Sequence, residues 1–427
     1  MTDIRISKIL EGLRGTVEIP ADKSISHRAV MFSSLAKGRS LIKNFSSGAD
    51  PHSTLDVFSK LGIKHNFIDE KTLEIVSDGE LKVPAGELDC GNSGTTMRLM
   101  SGILAGQNFD SVLIGDESLS KRPMRRVIEP ISLMGGEIQS VDGHAPLKIV
   151  GRPLHGIDYV SKIASAQVKS CVLLAGLFAD GITSVTEPYI SRNHTELMLK
   201  YLGADLTVEG KKVSVRGSKL DAKEIDICGD ISSAAFFIVA GLIVPESDII
   251  LKNVGLNPTR TGILDVVRDM GGNIEILDKR EAAGEISGDL RIRYSALKAC
   301  EISGEIIPRL IDELPVIAVL ATQAQGQTIV KDAGDLRNKE SDRIAAIVRE
   351  LKKIGAQIEE TPDGFIINGK TLLEGGAEVE TYHDHRLAMS LYVAGLVARK
   401  EILIKDFQWV DISFPEFLNL FNILTGR

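Results

Sequence analysis

GNSGTTMRLMSGILAG, residues 91–106, sets a small polar cluster directly ahead of an apolar run and closes on glycine. Ser or Asn before an apolar stretch reads as an N-cap, so the spacing predicts a helix that starts next to Ser93 and stops at Gly106. The theme recurs in DKSISHRAVMFSSLAKG (22–38), ASAQVKSCVLLAGLFADG (164–181), GDISSAAFFIVAGLI (229–243), RLIDELPVIAVLATQAQG (309–326) and YHDHRLAMSLYVAGLVA (382–398). Ser24, Ser93, Ser165, Ser232, Asp312 and His385 mark nearly equivalent places, a period of roughly seventy residues and longer than a solenoid repeat.

A second theme follows each of the first five copies: an amphipathic helix ending in glycine, then alternating apolar residues. Its copies are FSKLGIKHNF (58–67), SLMGGEIQSV (132–141), KYLGADLTVEG (200–210), RDMGGNIEIL (268–277) and KKIGAQIEE (352–360), and the last copy is cut short at NLFNILTGR (419–427). Alternation of period-3.6 and period-2 patterns predicts a unit of strand, helix, strand, helix and strand pair. Segments of this size bury helices against their own sheet, so the copies are expected to gather into two α/β lobes of three.

Composition excludes several classes of function. The chain has 427 residues, 43% hydrophobic and 25% charged, with a net charge of −8, which speaks against a general nucleic-acid binder. The first twenty residues carry scattered charges and no apolar h-region, so no signal peptide is expected. The longest apolar run, near Ala234 to Val244, is too short to span a bilayer. Cys90, Cys171, Cys228 and Cys300 form no CxxC pair, which argues against zinc and fits a reducing cytoplasm. The expectation is a cytoplasmic protein, acting as a monomer on small molecules, with no nucleic-acid or membrane partner.

GFIINGKT (364–371) fits the phosphate-loop pattern of two spaced glycines followed by Lys and Thr. A phosphate loop needs a strand before it and a helix after it. Here the turn signal TPDG precedes an apolar FIIN, other copies carry hairpin strands at this point (APLKIVGRPL, KKVSVRGSKL), and LLEGGAEVE breaks any following helix. The match is expected to be a strand that ends in a turn.

Chemistry is expected at the starts of the apolar helices. Capping accounts for Ser, Asn and Asp there, but not for Lys23, Arg28, Lys169 and Arg386, because a cation at a helix N-terminus opposes the macrodipole unless an anion is bound. GDESLSKRPMRRVIEP adds Lys121, Arg122, Arg125 and Arg126, which read alone are a solvated basic face. RNKESDRIAAIVREL places Lys339 and Arg343 four apart, as if on one helical face, with Glu340 and Asp342 between them. Arg suits bidentate capture of carboxylate or phosphate, and Lys supplies a point charge. The sum fits one or two small, highly charged anions. Asp312, which begins an otherwise apolar helix, Glu340 and His385 are the candidates for moving protons, a carboxylate among cations suiting a base. No Ser-His-Asp arrangement or metal-ligand spacing appears.

Together DKSISHR, GNSGTTMR, KRPM, SAQVKS, RNHTE, NPTR, KESDR, DHRLAM and SFPEF resemble, in order and spacing, the 3-phosphoshikimate 1-carboxyvinyltransferase (EPSP synthase) family, from about Val17 to Phe417. SAQVK, RNHTE and NPTR resemble its more divergent bacterial branch, associated with glyphosate tolerance. The resemblance implies a two-domain inside-out α/β barrel of six βαβαββ repeats, three per domain. Residues 1–20 with 230–427 would form one domain and 21–229 the other, with crossings near Pro20 and Gly229 and the site in the interdomain cleft. It implies transfer of the enolpyruvyl group of phosphoenolpyruvate to the 5-hydroxyl of shikimate 3-phosphate, with release of phosphate and no metal or organic cofactor.

Carried over position by position, the resemblance gives Lys23, Ser24 and Arg28 to shikimate 3-phosphate, with Lys23 also reaching phosphoenolpyruvate. Ser165, Ala166 (a serine elsewhere in the family), Gln167 and Arg192 would bind the shikimate phosphate and ring. Gly94, Arg122, Arg343 and Arg386 would surround phosphoenolpyruvate, and Lys339 would contact substrate hydroxyls. Asp312 would take the proton of the attacking hydroxyl; Glu340 would exchange one with the methylene carbon, Lys23 and His385 being alternative donors. Ile412 stands where the better-known branch has a lysine, Leu99 where it has a proline, and Gly94 is retained where some tolerant members carry Ala. A UDP-N-acetylglucosamine enolpyruvyl transferase shares fold and donor but relies on a loop cysteine that this chain lacks, and a phosphate-loop phosphotransferase would require GFIINGKT to bind ATP.

Overall fold

Each polar cluster ahead of an apolar run becomes the start of a helix buried along almost its whole length, in a computed structural model that describes residues 2–426. The chain divides into two units. An inserted unit comprises Ala21–Ile227 and Glu281–Glu285, and a terminal unit runs up to Pro20, over Cys228–Arg280 and onward from Ile286.

In the inserted unit the buried helices are Lys23–Leu35, Gly94–Ala105 and Ala166–Gly176. Each leads into a strand at the centre of its own sheet. Leu88–Asp89 pairs in parallel with Ser111–Ile114, which pairs antiparallel with His144–Val150 and then Glu137–Val141. Asp158–Val160, Ile182–Thr186, Lys212–Arg216 and Leu206–Glu209 repeat that order. The first copy takes its parallel edge from the far end of the unit: Leu220–Asp221 and Glu224–Asp226 lie beside Ala36–Lys43, followed by Leu73–Ser77 and Lys64–Phe67.

The terminal unit closes in the same way. Its buried helices, Ile231–Ile243, Leu314–Thr322 and His385–Gly395, pack on one another. Arg14–Glu18 supplies the parallel edge for Asp248–Gly255. The last copy, short of a strand pair, gains Ile4–Ile6, which pairs antiparallel with Ile402–Ile404. Residues at the start of the chain therefore complete repeats that the sequence leaves open.

The second helices are amphipathic and end on a common device. Arg343–Lys353 buries Ile344, Ile347, Val348 and Leu351, is capped by Asp342, and carries Lys352 and Lys353 in its last turn, where cations suit the macrodipole. The glycine after each such helix is left-handed: Gly62, Gly135, Gly203, Gly271 and Gly355 have φ of +87°, +85°, +91°, +79° and +101°. That conformation ends a helix at little cost only without a Cβ.

Four of the six N-caps differ in register from the sequence expectation, while Ser93 and Ser165 match it. Asp22, Ser93, Ser165, Asp230, Glu313 and Asp384 precede the buried helices, so Ser24, Ser232 and His385 fall inside them and Asp312 lies ahead of the cap. GFIINGKT is a hairpin strand: Gly364–Gly369 pairs antiparallel with Gly326–Val330 and with Ile358–Thr361, and the next element is the strand Glu378–Val379.

Helices Gly94–Ala105 and Ala166–Gly176 touch through backbone, since a Cβ on Gly102 would stand 2.1 Å from the Cys171 carbonyl oxygen. Gly102→Ala should therefore cost about 1–3 kcal/mol, the scale of overpacking. Urea denaturation measures it, and an unchanged midpoint would show that these helices separate freely.

Candidate active site

Asp22 opens the first cluster of the inserted unit, its carboxylate accepting from Ile25 N at 2.9 Å. Lys23 and Ser24 then occupy the first turn, and Lys23 Nζ lies 3.0 Å from Asp50 Oδ2. One turn on, Arg28 is only 3% exposed. Its Nε donates to Thr195 Oγ1 (2.7 Å), Nη1 to the Ser24 carbonyl (2.9 Å) and Nη2 to Ser170 Oγ (3.0 Å). All three partners are neutral, and no carboxylate among the described residues stands within ion-pair distance. Burial lowers the guanidinium to about 10, with Glu196 and Asp22 opposing, so it stays charged at neutral pH.

The next helix start brings together Gly94, Arg98, Arg122 and Gln167. Arg98 Nη1 donates to Gln167 Oε1 (2.6 Å), Gln167 Nε2 to Thr95 Oγ1 (3.1 Å), and Arg122 Nη2 to Asn92 Oδ1 (2.8 Å). A Cβ on Gly94 would sit 3.1 Å from Arg98 Nη1 and 3.4 Å from Arg122 Nη1, so the bare backbone lets both cations lean over the first turn. Ser165 precedes the third helix without using its hydroxyl as a cap, and Ser165, Ala166, Gln167 and Arg192 are half-buried.

In the terminal unit the centre is Arg343, 1% exposed. Its Nη1 lies 3.2 Å from Asp312 Oδ1, Nη2 2.6 Å from Glu340 Oε2, and Nε 2.8 Å from Asp384 Oδ2. Lys339 Nζ also reaches Asp312 Oδ1, at 3.3 Å. Asp384 caps the helix His385–Gly395 by accepting from Arg386 N at 2.9 Å, and it accepts from Ser341 Oγ at 3.0 Å. Burial alone would raise its carboxyl, but the Arg343 guanidinium outweighs burial and holds it below the ordinary value. His385 is buried at the first position of that helix. Arg386, 8% exposed, donates from Nη1 to the Asp312 carbonyl at 3.4 Å, and among the described residues its guanidinium too meets no carboxylate.

Two expectations about cations fail. Lys169 does not wait for an anion: its buried Nζ lies 2.8 Å from Glu187 Oε2 and 2.7 Å from Glu196 Oε1, carboxylates distant in sequence. Lys339 and Arg343 do not share a helical face, because Asp342 caps the helix and Lys339 lies outside it, after the 3-10 turn Gly334–Asn338. The basic run around Pro123 divides as well. Lys121 and Arg125 are exposed and Arg122 is buried.

Sequence reasoning missed Asp384, Asp50 and Arg98. Asp384 was visible as an N-cap in DHR, and Arg98 as a lone cation four residues beyond Gly94 in an apolar run. Burial raises the Cys171 and Cys300 thiols, to about 12 and about 11, so neither is a thiolate near neutral pH. Among the described residues no group of His, Cys, Asp or Glu is arranged to hold a metal, and no helix is long and apolar enough to cross a membrane.

The depressed Asp384 carboxyl links stability to pH. A folded-state pKa below the unfolded value of about 4 stabilises fully above that pH and is lost as pH falls through the folded value. Asp384→Asn should therefore be less stable than the parent at pH 7 and converge on it below about pH 4. Parallel urea titrations read this, and a gap that persists in acid would detach Asp384 from the effect.

Comparison with known proteins gives one answer. The family profile of EPSP synthase (3-phosphoshikimate 1-carboxyvinyltransferase) matches residues 8–421. The 3-phosphoshikimate 1-carboxyvinyltransferase of Bacillus pumilus (strain SAFR-032) is 53% identical over 423 residues, 97% of each chain. That of Bacillus subtilis (strain 168) is 51% identical over 425 residues, 98% of this chain and 99% of the relative. Among solved structures, EPSP synthase from Acinetobacter baumannii superposes with a TM-score of 0.88 at 42% identity, over 99% of this chain and 98% of that one. The enolpyruvyl transferase NikO from Streptomyces tendae shares the fold at a TM-score of 0.79 and 16% identity, over 99% and 97% of the two chains.

Proposed function

The chain belongs to the EPSP synthase family, and from that premise we propose that it transfers the enolpyruvyl group of phosphoenolpyruvate to the 5-hydroxyl of shikimate 3-phosphate. The observation that carries this reading is that two buried guanidiniums, Arg28 and Arg386, contact only neutral oxygens. A buried charge without a counter-ion is costly, and two substrates that each carry a phosphate and a carboxylate would compensate both.

The roles divide by unit. Lys23, Ser24, Arg28, Ser165, Ala166, Gln167 and Arg192 of the inserted unit hold shikimate 3-phosphate, and Gly94 with Arg122 holds phosphoenolpyruvate. In the terminal unit, Arg343 and Arg386 are assigned to phosphoenolpyruvate and Lys339 to the acceptor's hydroxyls. Asp312, gripped at Oδ1 by Lys339 and Arg343, takes the proton of the attacking 5-hydroxyl as its oxygen adds to C2 of phosphoenolpyruvate. C3 gains a proton from Glu340, giving a tetrahedral adduct. Glu340 then takes a proton back from C3, and phosphate departs with the proton held by Asp312. Lys23 and His385 are the alternative donors to C3. Both substrates and the adduct are anionic, so most of the acceleration comes from cations fixed before the substrates arrive. All four cysteines are free, which supports work in a reducing cytoplasm.

Phosphate should be released from phosphoenolpyruvate only when shikimate 3-phosphate is present. Release with UDP-N-acetylglucosamine instead would transfer the assignment to the sister reaction. Asp312→Ala and Glu340→Ala should lose at least about a hundredfold in kcat while keeping the fold. Lys370→Ala, on an exposed residue after the hairpin strand, should leave kcat unchanged. Near-parental turnover in either carboxylate variant would remove that residue from the mechanism.

Gly94 generates a separate expectation. A methyl there would meet Arg98 and Arg122 at 3.1 and 3.4 Å, narrowing the space over the first turn. Glyphosate is slightly longer than phosphoenolpyruvate, and one methyl-sized group discriminates by roughly 10–200-fold. Gly94→Ala should raise the glyphosate inhibition constant more than the KM for phosphoenolpyruvate. Equal shifts in both constants would show that the methyl does not discriminate.

A further inference from the structure

Two helices of the inserted unit are joined by rungs one turn apart. Lys23 and His27 are spaced i, i+4 on Lys23–Leu35, and Asp50 and Thr54 are spaced the same way on Ala49–Lys60. The first rung is the ion pair of Lys23 with Asp50 at 3.0 Å. The second is His27 Nδ1 against Thr54 Oγ1 at 2.6 Å. It continues where the first does not. Thr54 Oγ1 lies 2.7 Å from Thr96 Oγ1, and the Thr96 hydroxyl donates to Ser93 Oγ at 2.7 Å. Ser93 Oγ also accepts from Thr96 N at 3.1 Å, which is the N-cap of the helix that begins at Gly94.

The protons in this relay have only one consistent arrangement. A hydroxyl has one proton to donate. Thr96 gives its proton to Ser93, so the bond between Thr54 and Thr96 must be donated by Thr54. The Thr54 proton is then committed, and the contact with His27 must be donated from Nδ1. His27 is therefore the Nδ1–H tautomer, and its buried Nε2, which has no hydrogen-bond partner, is a bare lone pair. Burial, with Lys23 and Arg28 nearby, pushes the imidazole well below its ordinary pKa and keeps it neutral. His27, Thr54 and Thr96 are fully buried and Ser93 is 1% exposed, so no solvent competes for these bonds. Valine would fill the threonine sites with equal volume. What hydroxyls add is direction, which a linked chain of buried bonds enforces.

We propose that His27 is a positioning residue for the enolpyruvyl donor, fixing through Thr54, Thr96 and Ser93 the helix turn at Gly94 over which Arg98 and Arg122 lean. The proposal rests on the assignment of phosphoenolpyruvate to that turn. Since the Lys23–Asp50 rung holds the first helix independently, loss of the relay should act on the donor and spare the acceptor.

Two experiments test it. In nitrogen-15 spectra of histidine-labelled protein without substrate, His27 should be neutral and protonated on Nδ1 at pH 7. An Nε2–H ring would overturn the relay, and this arm needs no turnover, so it stands or falls apart from the transferase reading. In kinetics, His27→Leu removes the donor, while His27→Asn keeps an N–H where Nδ1 stood. The leucine variant should raise the KM for phosphoenolpyruvate about tenfold, the scale of one lost hydrogen bond, with that for shikimate 3-phosphate within about twofold. The asparagine variant should restore the parental value. Equal rises in both KM values, no rise in either, or an asparagine variant as impaired as leucine would reduce His27 to a packing residue.

Discussion

A helix buried on every side can offer chemistry only at its ends, and this fold repeats that constraint in every copy. At each start the backbone N–H groups point outward with partial positive charge, so a cation placed there must find negative charge nearby. The copies solve this in two ways. Arg343 is held by Asp384, Glu340 and Asp312, Arg260 by Asp230 at 3.0 Å, and Lys169 by Glu187 and Glu196. These charges are satisfied inside the protein. The guanidiniums of Arg28 and Arg386, also buried, are held by hydroxyls and carbonyls alone, and the proposed function gives them the anionic substrates as counter-ions.

Asp384 shows how one carboxylate can serve both solutions. It caps the helix that carries Arg386 and at the same time grips Arg343, which in turn holds Asp312 and Glu340. The orientation of two proposed acid-base groups thus descends from a helix cap. Removing one member of such a buried set leaves the others without compensation, which is why these networks cost more to break than a surface pair.

Much of this was legible in sequence, for identifiable reasons. Apolar runs after polar clusters announced the buried helices, and the glycines that close the second theme announced where its amphipathic helices end. The register of the caps was not legible, because Asp22, Asp230 and Asp384 cap from upstream of the serines and histidine that seemed equivalent. Nor was the fate of Lys169, whose glutamates lie on other elements, or the completion of the last sheet by Ile4–Ile6, which pairs across nearly the whole chain. Patterns within a turn or two of helix reveal local structure. Neutralisation of a charge and closure of a sheet depend on residues that only folding brings near.

The second copy differs from its fellows at a single decisive position. Its helix begins with glycine, whereas the others begin with Lys23, Ala166, Ile231, Leu314 and His385. Any side chain at that place would project toward the guanidiniums of Arg98 and Arg122, within 3.1 to 3.4 Å of its first carbon. Glycine is a poor helix former, and its use in a first turn is intelligible only if the space above the backbone has value. The same helix is the one whose cap is tied through hydroxyls to a buried imidazole. Under the proposed assignment of phosphoenolpyruvate to this turn, space for the ligand and rigidity of the backbone beneath it are placed together.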